Sequence, residues 1–562
     1  VAILRQALAV LALFGATFVL AAQAPSRARV DYEFRPILEA GALRAVEVDL
    51  RFRGAADGVT TLRLPNEWGG QSELWRSIED VRVVSGADLR EGDGPAFRTL
   101  AHQPNARIHV RYRIVQDREG APSAEQGNPY RAVIQPTYFH LIGNAALVIP
   151  EIDGATPVRV RARDMPRRWR FASDLEHRGL ALEDANSSIT VGGDFRILHG
   201  ADPNIRIAIR GQWRFSDADF ASEASRIVMA QRRFWGDASE PYLITVIELT
   251  APDPGWVSVG GTGLDDAFAF FATPNGDEQT IARILAHEGL HTWIPGRIGG
   301  MPQAGEAVDY WLSEGFTDFY TARVLVREGL WTPAQFAEDL NAMLAAYAQS
   351  PVRAEPNARI LADFWNDRSV QQLPYQRGRL LATIWDARLR ARGTGDLDDV
   401  MYAMRTHTAG TAVERFGAQA EALSFGVDDE IAAHIERGAP ILLPRDAFAP
   451  CGRIETREAP NFHRGFDIEA TVANNNIIAG VVRSGPAYAA GMRDGMILVR
   501  REAGEIGNAE LEIAYVVRDG ETERTLRYMP RGEGSFTLQR LVIDEGLSGE
   551  ALDRCVAVLA GT

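Results

Sequence analysis

Between residues 30 and 200 the chain alternates apolar and polar positions over short runs. VEVDLRFRG (46–54), ARIHVRYRIV (106–115) and PVRVRARD (157–164) show it, and NIRIAIRGQWRF (204–215) continues it. A period of two is the mark of strands with one face in a core and one in solvent. Clusters of Gly, Pro, Asn and Asp separate the runs, so the pattern predicts an all-β domain whose arginines lie on its solvated face. From about 220 the texture changes. ASEASRIVMAQRRFW reads as a helix and PYLITVIELT as a buried strand. Helical spacing dominates from 276 to about 440. PILLPRDAFAP (440–450) reads as a linker, and short strands with glycine turns resume from Cys451. No internal repeat or low-complexity tract interrupts this order. The expected fold class is multidomain α+β, with an N-terminal all-β domain at 25–205, a mainly helical domain at 206–445 and a β domain at 446–562.

Composition changes this picture in three places. A chain of 562 residues is too long for one core, which supports several domains. A net charge of −15 argues against a general nucleic-acid binder, which needs a basic surface. All 60 basic residues are arginine, a compositional bias from which no function follows.

Residues 1–24 read as a signal peptide: Arg5, then the uncharged apolar run Ala7 to Ala22, then small residues around Ala-Gln-Ala. The run of 16 residues is short of the roughly 20 that a spanning helix needs. The expectation is an exported protein, periplasmic or secreted, with no stable membrane span after signal removal; an uncleaved anchor is the alternative. Export favours a disulfide between Cys451 and Cys555 over two buried thiols. It would close a loop of about 100 residues, worth up to ~4–5 kcal/mol on the chain-entropy argument.

The candidate chemistry sits in NGDEQTIARILAHEGLHTW (275–293). Asn275 can cap a helix here, with Glu278 as its reciprocal partner. His287 and His291 then fall one turn apart on one face, a spacing that lets both bind one Zn²⁺, with Glu288 beside them as a general base. A catalytic zinc site needs a third protein ligand. YWLSEGFTDFY (310–320) offers Glu314, 23 residues after His291 across a Gly- and Pro-containing loop. Asp318, four residues on, can orient a ligating histidine. Glu306 or Asp309 as the ligand, and Asp318 as a surface charge, remain the alternatives.

HEGLHTWIPGR followed by WLSEGFTDFY resembles the glycyl aminopeptidase family of gluzincin metallopeptidases, in the zinc residues and also in Trp293, Arg297 and the SEGFT glutamate motif. The resemblance implies a thermolysin-like catalytic core, one Zn²⁺, an N-terminal β domain and a C-terminal PDZ domain. LPYQRGRLLATIWD (373–386) resembles the family's Tyr-x-Lys-Gly helix start, with Arg377 in place of Lys. That implies Tyr375 as the hydrogen-bond donor to the tetrahedral intermediate. VSVGGTGLDDAFAFF (257–271) departs from the family's Gly-Gly-Leu-Glu-His: Asp265 stands for the amine-gripping glutamate and Asp266 for the histidine. This makes zinc-dependent hydrolysis more secure than exopeptidase character.

HRGFDIEATV (463–472) and SGPAYAAGMRDG (484–495) resemble a bacterial-type PDZ domain, although Asp494-Gly495 reverses the usual Gly-Asp order. The resemblance implies a peptide-binding loop at Arg464, Gly465 and Phe466, taking peptide C-termini or extended segments; a domain that only packs is the alternative. The resulting expectation is a zinc metallopeptidase acting on peptides, an aminopeptidase by resemblance. An endopeptidase, another zinc hydrolase, or a peptide-binding protein with a vestigial metal site stand as the other readings.

Overall fold

The computed structural model describes residues 28–561 apart from 126–127, 178, 252–254, 303 and 408. The expected signal peptide at 1–24 lies outside the described residues. No helix among them is long and apolar enough to cross a membrane.

The alternating runs form strands. A five-stranded sheet has the order Val158–Ala162, Val30–Glu39, Ala42–Arg53, Arg107–Ile114, Ile78–Ser85. Its apolar face, with Tyr32, Phe34, Val48, Leu50 and Tyr112, shares a core with Leu62 and Leu100 of a second, four-stranded sheet. The other face is more than a solvated surface. Glu47 and Asp49 are buried there beneath arginines, and Arg111 pairs with Asp49 at 2.8 Å.

The sheet that positions the site runs Arg196–His199, Ile205–Ile209, Tyr242–Glu248, Ala267–Ala272, Val259–Gly263. The middle three strands are parallel and the two edges antiparallel. Both faces are covered, which is why PYLITVIELT reads as a continuous apolar run. Ile244, Val246, Phe268 and Phe270 face the helices, including Asp217–Trp235. Leu243, Ile247, Ala269 and Phe271 face a third β-sheet, meeting its Tyr138, Ile142 and Val191. The expected boundary at 205/206 therefore falls inside this sheet, because Arg196–His199 and Ile205–Ile209 pair with each other.

Three helices carry the candidate residues: the HExxH helix (Glu278–Leu290), the glutamate helix (Tyr310–Arg327) and the tyrosine helix (Arg368–Arg392). Asp277, not Asn275, caps the first. Its carboxylate accepts from the Thr280 N–H at 2.9 Å, and its charge suits the helix N-terminus. The glutamate and tyrosine helices touch backbone to backbone. A Cβ on Gly378 would lie 1.7 Å from the Trp311 carbonyl, and one on Gly315 would lie 2.4 Å from the Gly378 Cα. Only glycine at both places allows this crossing.

The expected linker at 440–450 is instead packed. Ile441, Leu443, Ala447 and Phe448 are buried in the core that holds the helices, and the Ile441 N–H donates to the Tyr347 hydroxyl at 3.0 Å. A two-stranded ribbon, Gly452–Phe462 with Arg531–Ile543, then leaves that core. Between its strands lies a small subdomain with its own core of Phe466, Ile478, Met492, Tyr515 and Val517 and a three-stranded sheet. The last helix, Glu550–Ala560, returns to pack on the glutamate helix, and Cys451 and Cys555 are joined as a disulfide. The boundary expected at 445/446 thus divides a continuous core, since Ile454, Leu541 and Leu559 share it with the helices.

Candidate metal centre

His287 and His291 project from the end of the HExxH helix, with His291 as its C-cap. Glu314 approaches from the second turn of the glutamate helix. One ligand atom from each of the three lies within 4.8 Å of the others. Glu314 Oε2 is 3.2 Å from His287 Nε2 and 3.5 Å from His291 Nε2, so both imidazoles present the same nitrogen to the carboxylate. Their other nitrogens are held from behind: His287 Nδ1 by Asp318 Oδ1 at 2.9 Å, His291 Nδ1 by the Ile294 carbonyl at 2.9 Å. That is the tethering by which a protein fixes the ring orientation of metal-ligating histidines.

Asp318 is itself anchored. Arg283 donates to Asp318 at 2.9 Å and to Asp339 at 2.9 Å, and Arg379 pairs with Asp339 at 2.7 Å. Burial would raise the Asp318 carboxyl, but Arg283 and His287 outweigh it and hold the pKa well below the carboxylate range. Burial would lower His287, yet the hydrogen bonds to Asp318 and Glu314 pull it up to about 10. His291 is raised by Glu314 in the same way, against burial. Two imidazoles meet Glu288, Glu314 and Asp318 in one pocket, which therefore draws positive charge. With two imidazole nitrogens and one carboxylate oxygen exposed to a common point, the donor set fits a divalent transition metal and matches the His₂Glu set of catalytic zinc sites.

Glu288, between the two histidines, is half-buried, and its Oε2 accepts the Gly263 N–H at 3.0 Å. Gly263 ends the edge strand Val259–Gly263. A Cβ there would sit 2.1 Å from the Glu288 carbonyl and 2.9 Å from the His291 Cβ, so a side chain would push the strand off the helix. Tyr375 stacks on His287 with ring centroids 5.8 Å apart at 22°. Burial first, then Glu314 and Glu288, keep its hydroxyl protonated far beyond neutral pH. Trp293 Nε1 donates to Asp237 at 2.5 Å, and Arg297 and Arg405 pair with the same carboxylate, pinning the turn after His291.

The structure thus brings His287, His291, Glu314, Glu288, Asp318 and Tyr375 together. Glu306 and Asp309 lie outside the ligand group; Glu306 accepts from the Tyr310 hydroxyl at 2.6 Å. Asp265 does not join the site residues. It is exposed in the turn after the edge strand, and its electrostatic neighbours are Asp184, Arg297 and Ser187. Asp266 has Arg297, Glu240 and Asp265 around it. In the C-terminal subdomain, Phe466 is core, Gly465 holds φ +90°, and the Arg464 carbonyl accepts from Tyr528 at 2.6 Å. Arg464 also lines a groove of about 340 Å³ with Arg500, Arg501 and Tyr515.

Sequence reasoning missed Tyr130, which reaches in from the β domain. Its hydroxyl donates to the Gly261 carbonyl at 3.1 Å, and its pKa is raised by burial and by Glu288. Nothing in the local sequence around Tyr130 signals this, since the contact joins residues 131 positions apart. It missed the Arg283–Asp339–Arg379 support for the same reason.

No curated protein matches the chain in sequence. Among solved structures, the fold is similar to an aminopeptidase N family protein from Idiomarina loihiensis, with a TM-score of 0.65 at 14% identity, covering 94% of this chain and 100% of that one. A looser likeness, TM-score 0.46 at 15% identity, covers 74% of this chain and 95% of an M1 zinc metallopeptidase from Deinococcus radiodurans. Residues 280–371, which contain all three candidate ligands and Glu288, match the family model of M61 glycyl aminopeptidase. Over the segment that carries its candidate metal centre, this chain is similar to the M61 glycyl aminopeptidase family.

Proposed function

We propose that the protein is a zinc-dependent peptidase that removes N-terminal residues from peptides. The observation that carries the reading is the convergence of His287, His291 and Glu314 within 4.8 Å, with Glu288 beside them on the same helix turn. Zn²⁺, when bound by these three residues, supplies the Lewis acidity that activates water and polarises a carbonyl. Glu288, oriented by the Gly263 N–H, takes the proton from the attacking water and delivers it to the leaving amine. Tyr375 donates a hydrogen bond to the developing oxyanion, with its hydroxyl kept protonated for that purpose. The edge strand Val259–Gly263 has one side unpaired among the described strands, so an extended substrate can align along it. Asp265 is not among the grouped residues, but it lies exposed two residues beyond that strand and is the carboxylate proposed to reach the free amine of a substrate lying along it.

The C-terminal subdomain is proposed as a PDZ-like module. In it the loop Arg464–Phe466 and the arginine-lined groove would take the carboxylate end of a peptide. Export to the periplasm or medium is proposed with it; the disulfide supports an oxidising location.

The test is a mixed pool of free and N-acetylated peptides, incubated with wild-type protein and with Glu288→Gln and read by mass spectrometry. The expected result is stepwise N-terminal loss from free peptides alone, absent in a variant that still binds zinc. Internal cuts in both pools would make the protein an endopeptidase. A Glu288→Gln variant as active as wild type would remove Glu288 from the mechanism.

A further inference from the structure

One element beside the metal centre is unaccounted for by the chemistry above. Glu306, Tyr310, Glu314 and Asp318 recur every four residues and so share one side of the glutamate helix and its 3-10 lead-in. Asp318 is buried behind His287 and Glu314 reaches the metal position. Tyr310 feels the Glu314 charge, and its hydroxyl is donated outward to Glu306 at 2.6 Å. Glu306 is exposed, and among the described residues it has no arginine partner in a chain with 60 arginines. It is a carboxylate held in place by a neutral hydroxyl and left without a cation.

Its surroundings are apolar. A Cβ on neighbouring Gly305 would touch Leu361 at 3.6 Å, and Tyr310 packs edge-on against Phe364 at 4.6 Å, which packs against Trp365 at 4.9 Å. Leu361 and Trp365 are 53% and 56% exposed. Trp365 also closes over Gly70 of the β domain, where a Cβ would meet its ring at 2.8 Å. Trp68, two residues earlier, packs on Tyr130, which holds the edge strand. The rim therefore continues from the edge strand to Glu306.

We propose that Leu361, Trp365 and Glu306 form a subsite for a long cationic side chain, arginine or lysine, of the peptide substrate. The aliphatic stem lies on Leu361 and Trp365, and the charged head reaches the Glu306 carboxylate. The helix rise from 306 to 314 is roughly 14 Å, which extended peptide spans in about four residues. The cationic residue thus lies three to four positions from the bond that is cut. Glu306 is a specificity residue here and touches no reacting atom. This inference rests on the peptidase reading.

The test uses peptides with a single arginine moved position by position, each paired with its citrulline analogue, which keeps shape and removes charge. The chain's net charge of −15 attracts any cationic peptide, so position dependence is the diagnostic. Wild-type protein is expected to favour arginine by about fivefold in kcat/KM at one position three to four residues from the cut. Glu306→Gln should abolish that preference while leaving the citrulline peptides unchanged. Equal preference at every position, or a preference that survives Glu306→Gln, would overturn the subsite. Affinities of the same peptides for zinc-loaded Glu288→Gln, with and without Glu306→Gln, report on the subsite without turnover. If wild-type protein cleaves nothing, the peptidase reading fails, and those affinities still decide whether Glu306 selects a cation.

Discussion

The two sides of the candidate metal centre are built from different materials. Behind the ligands lies a chain of charges, Asp318, Arg283, Asp339 and Arg379, each within 3 Å of the next. In front lie glycine and aromatic groups: Gly263 against the helix, Tyr130 on the strand, Tyr375 over His287. The rear fixes where the histidines point, because a buried charged network is costly to rearrange once every member is paired. The front sets the Gly263 N–H against Glu288 and a tyrosine ring against His287. The difference predicts that rear substitutions loosen the metal, whereas front substitutions leave it bound and slow the reaction.

The largest effect expected from breaking the front is at Tyr375. Tyr375→Phe keeps the stacking on His287 and removes the hydroxyl. A donor aimed at an oxyanion is worth a factor of about 10² to 10³ in kcat. The expected outcome is that loss in steady-state kinetics, with KM and zinc content little changed. A kcat within about threefold of wild type would make Tyr375 a packing residue.

On the rear side the matching variant is Asp318→Asn. It keeps the shape but leaves Arg283 with one charged partner and weakens the hold on His287 Nδ1. Loss of such a tether lowers metal affinity by about 10- to 100-fold. Competition with a chelator measures it, and the saturated variant should recover much of its turnover. Unchanged zinc affinity would show that the ring is held by packing alone.

The convergence of the candidate ligands was legible in the sequence because they are local. His287, Glu288 and His291 share one helix turn, and Glu314 and Asp318 share the next helix. Tyr375 came through resemblance. The parts that were not legible are contacts between distant segments. Tyr130 to Gly261 and Arg379 to Asp339 depend on how the sheets and helices dock, which periodicity does not encode. The continuity of sheet and core across 205/206 and 445/446 has one cause. Composition changes there, but the core does not, since Ile205–Ile209 pairs forward into the sheet beside the metal centre and residues 441–454 pack back onto the helices. Glycine was the signal that was undervalued. Gly263, Gly315 and Gly378 each mark a backbone approach that builds the site.

Gly263→Ala sharpens the comparison most narrowly. The added methyl would lie 2.1 Å from the Glu288 carbonyl and 2.9 Å from the His291 Cβ, so the edge strand must retreat well beyond the small give of an ordinary close contact. The Gly263 N–H would then lose its 3.0 Å bond to Glu288 Oε2, and the proposed general base would lose its orientation. His287, Glu314 and their rear tethers are untouched. The expected outcome is a fall in kcat of about tenfold, the scale of a misplaced catalytic group, with zinc affinity unchanged. If zinc affinity falls instead, His291 is positioned from the front as well as by the Ile294 carbonyl, and the division between the two sides does not hold at that ligand.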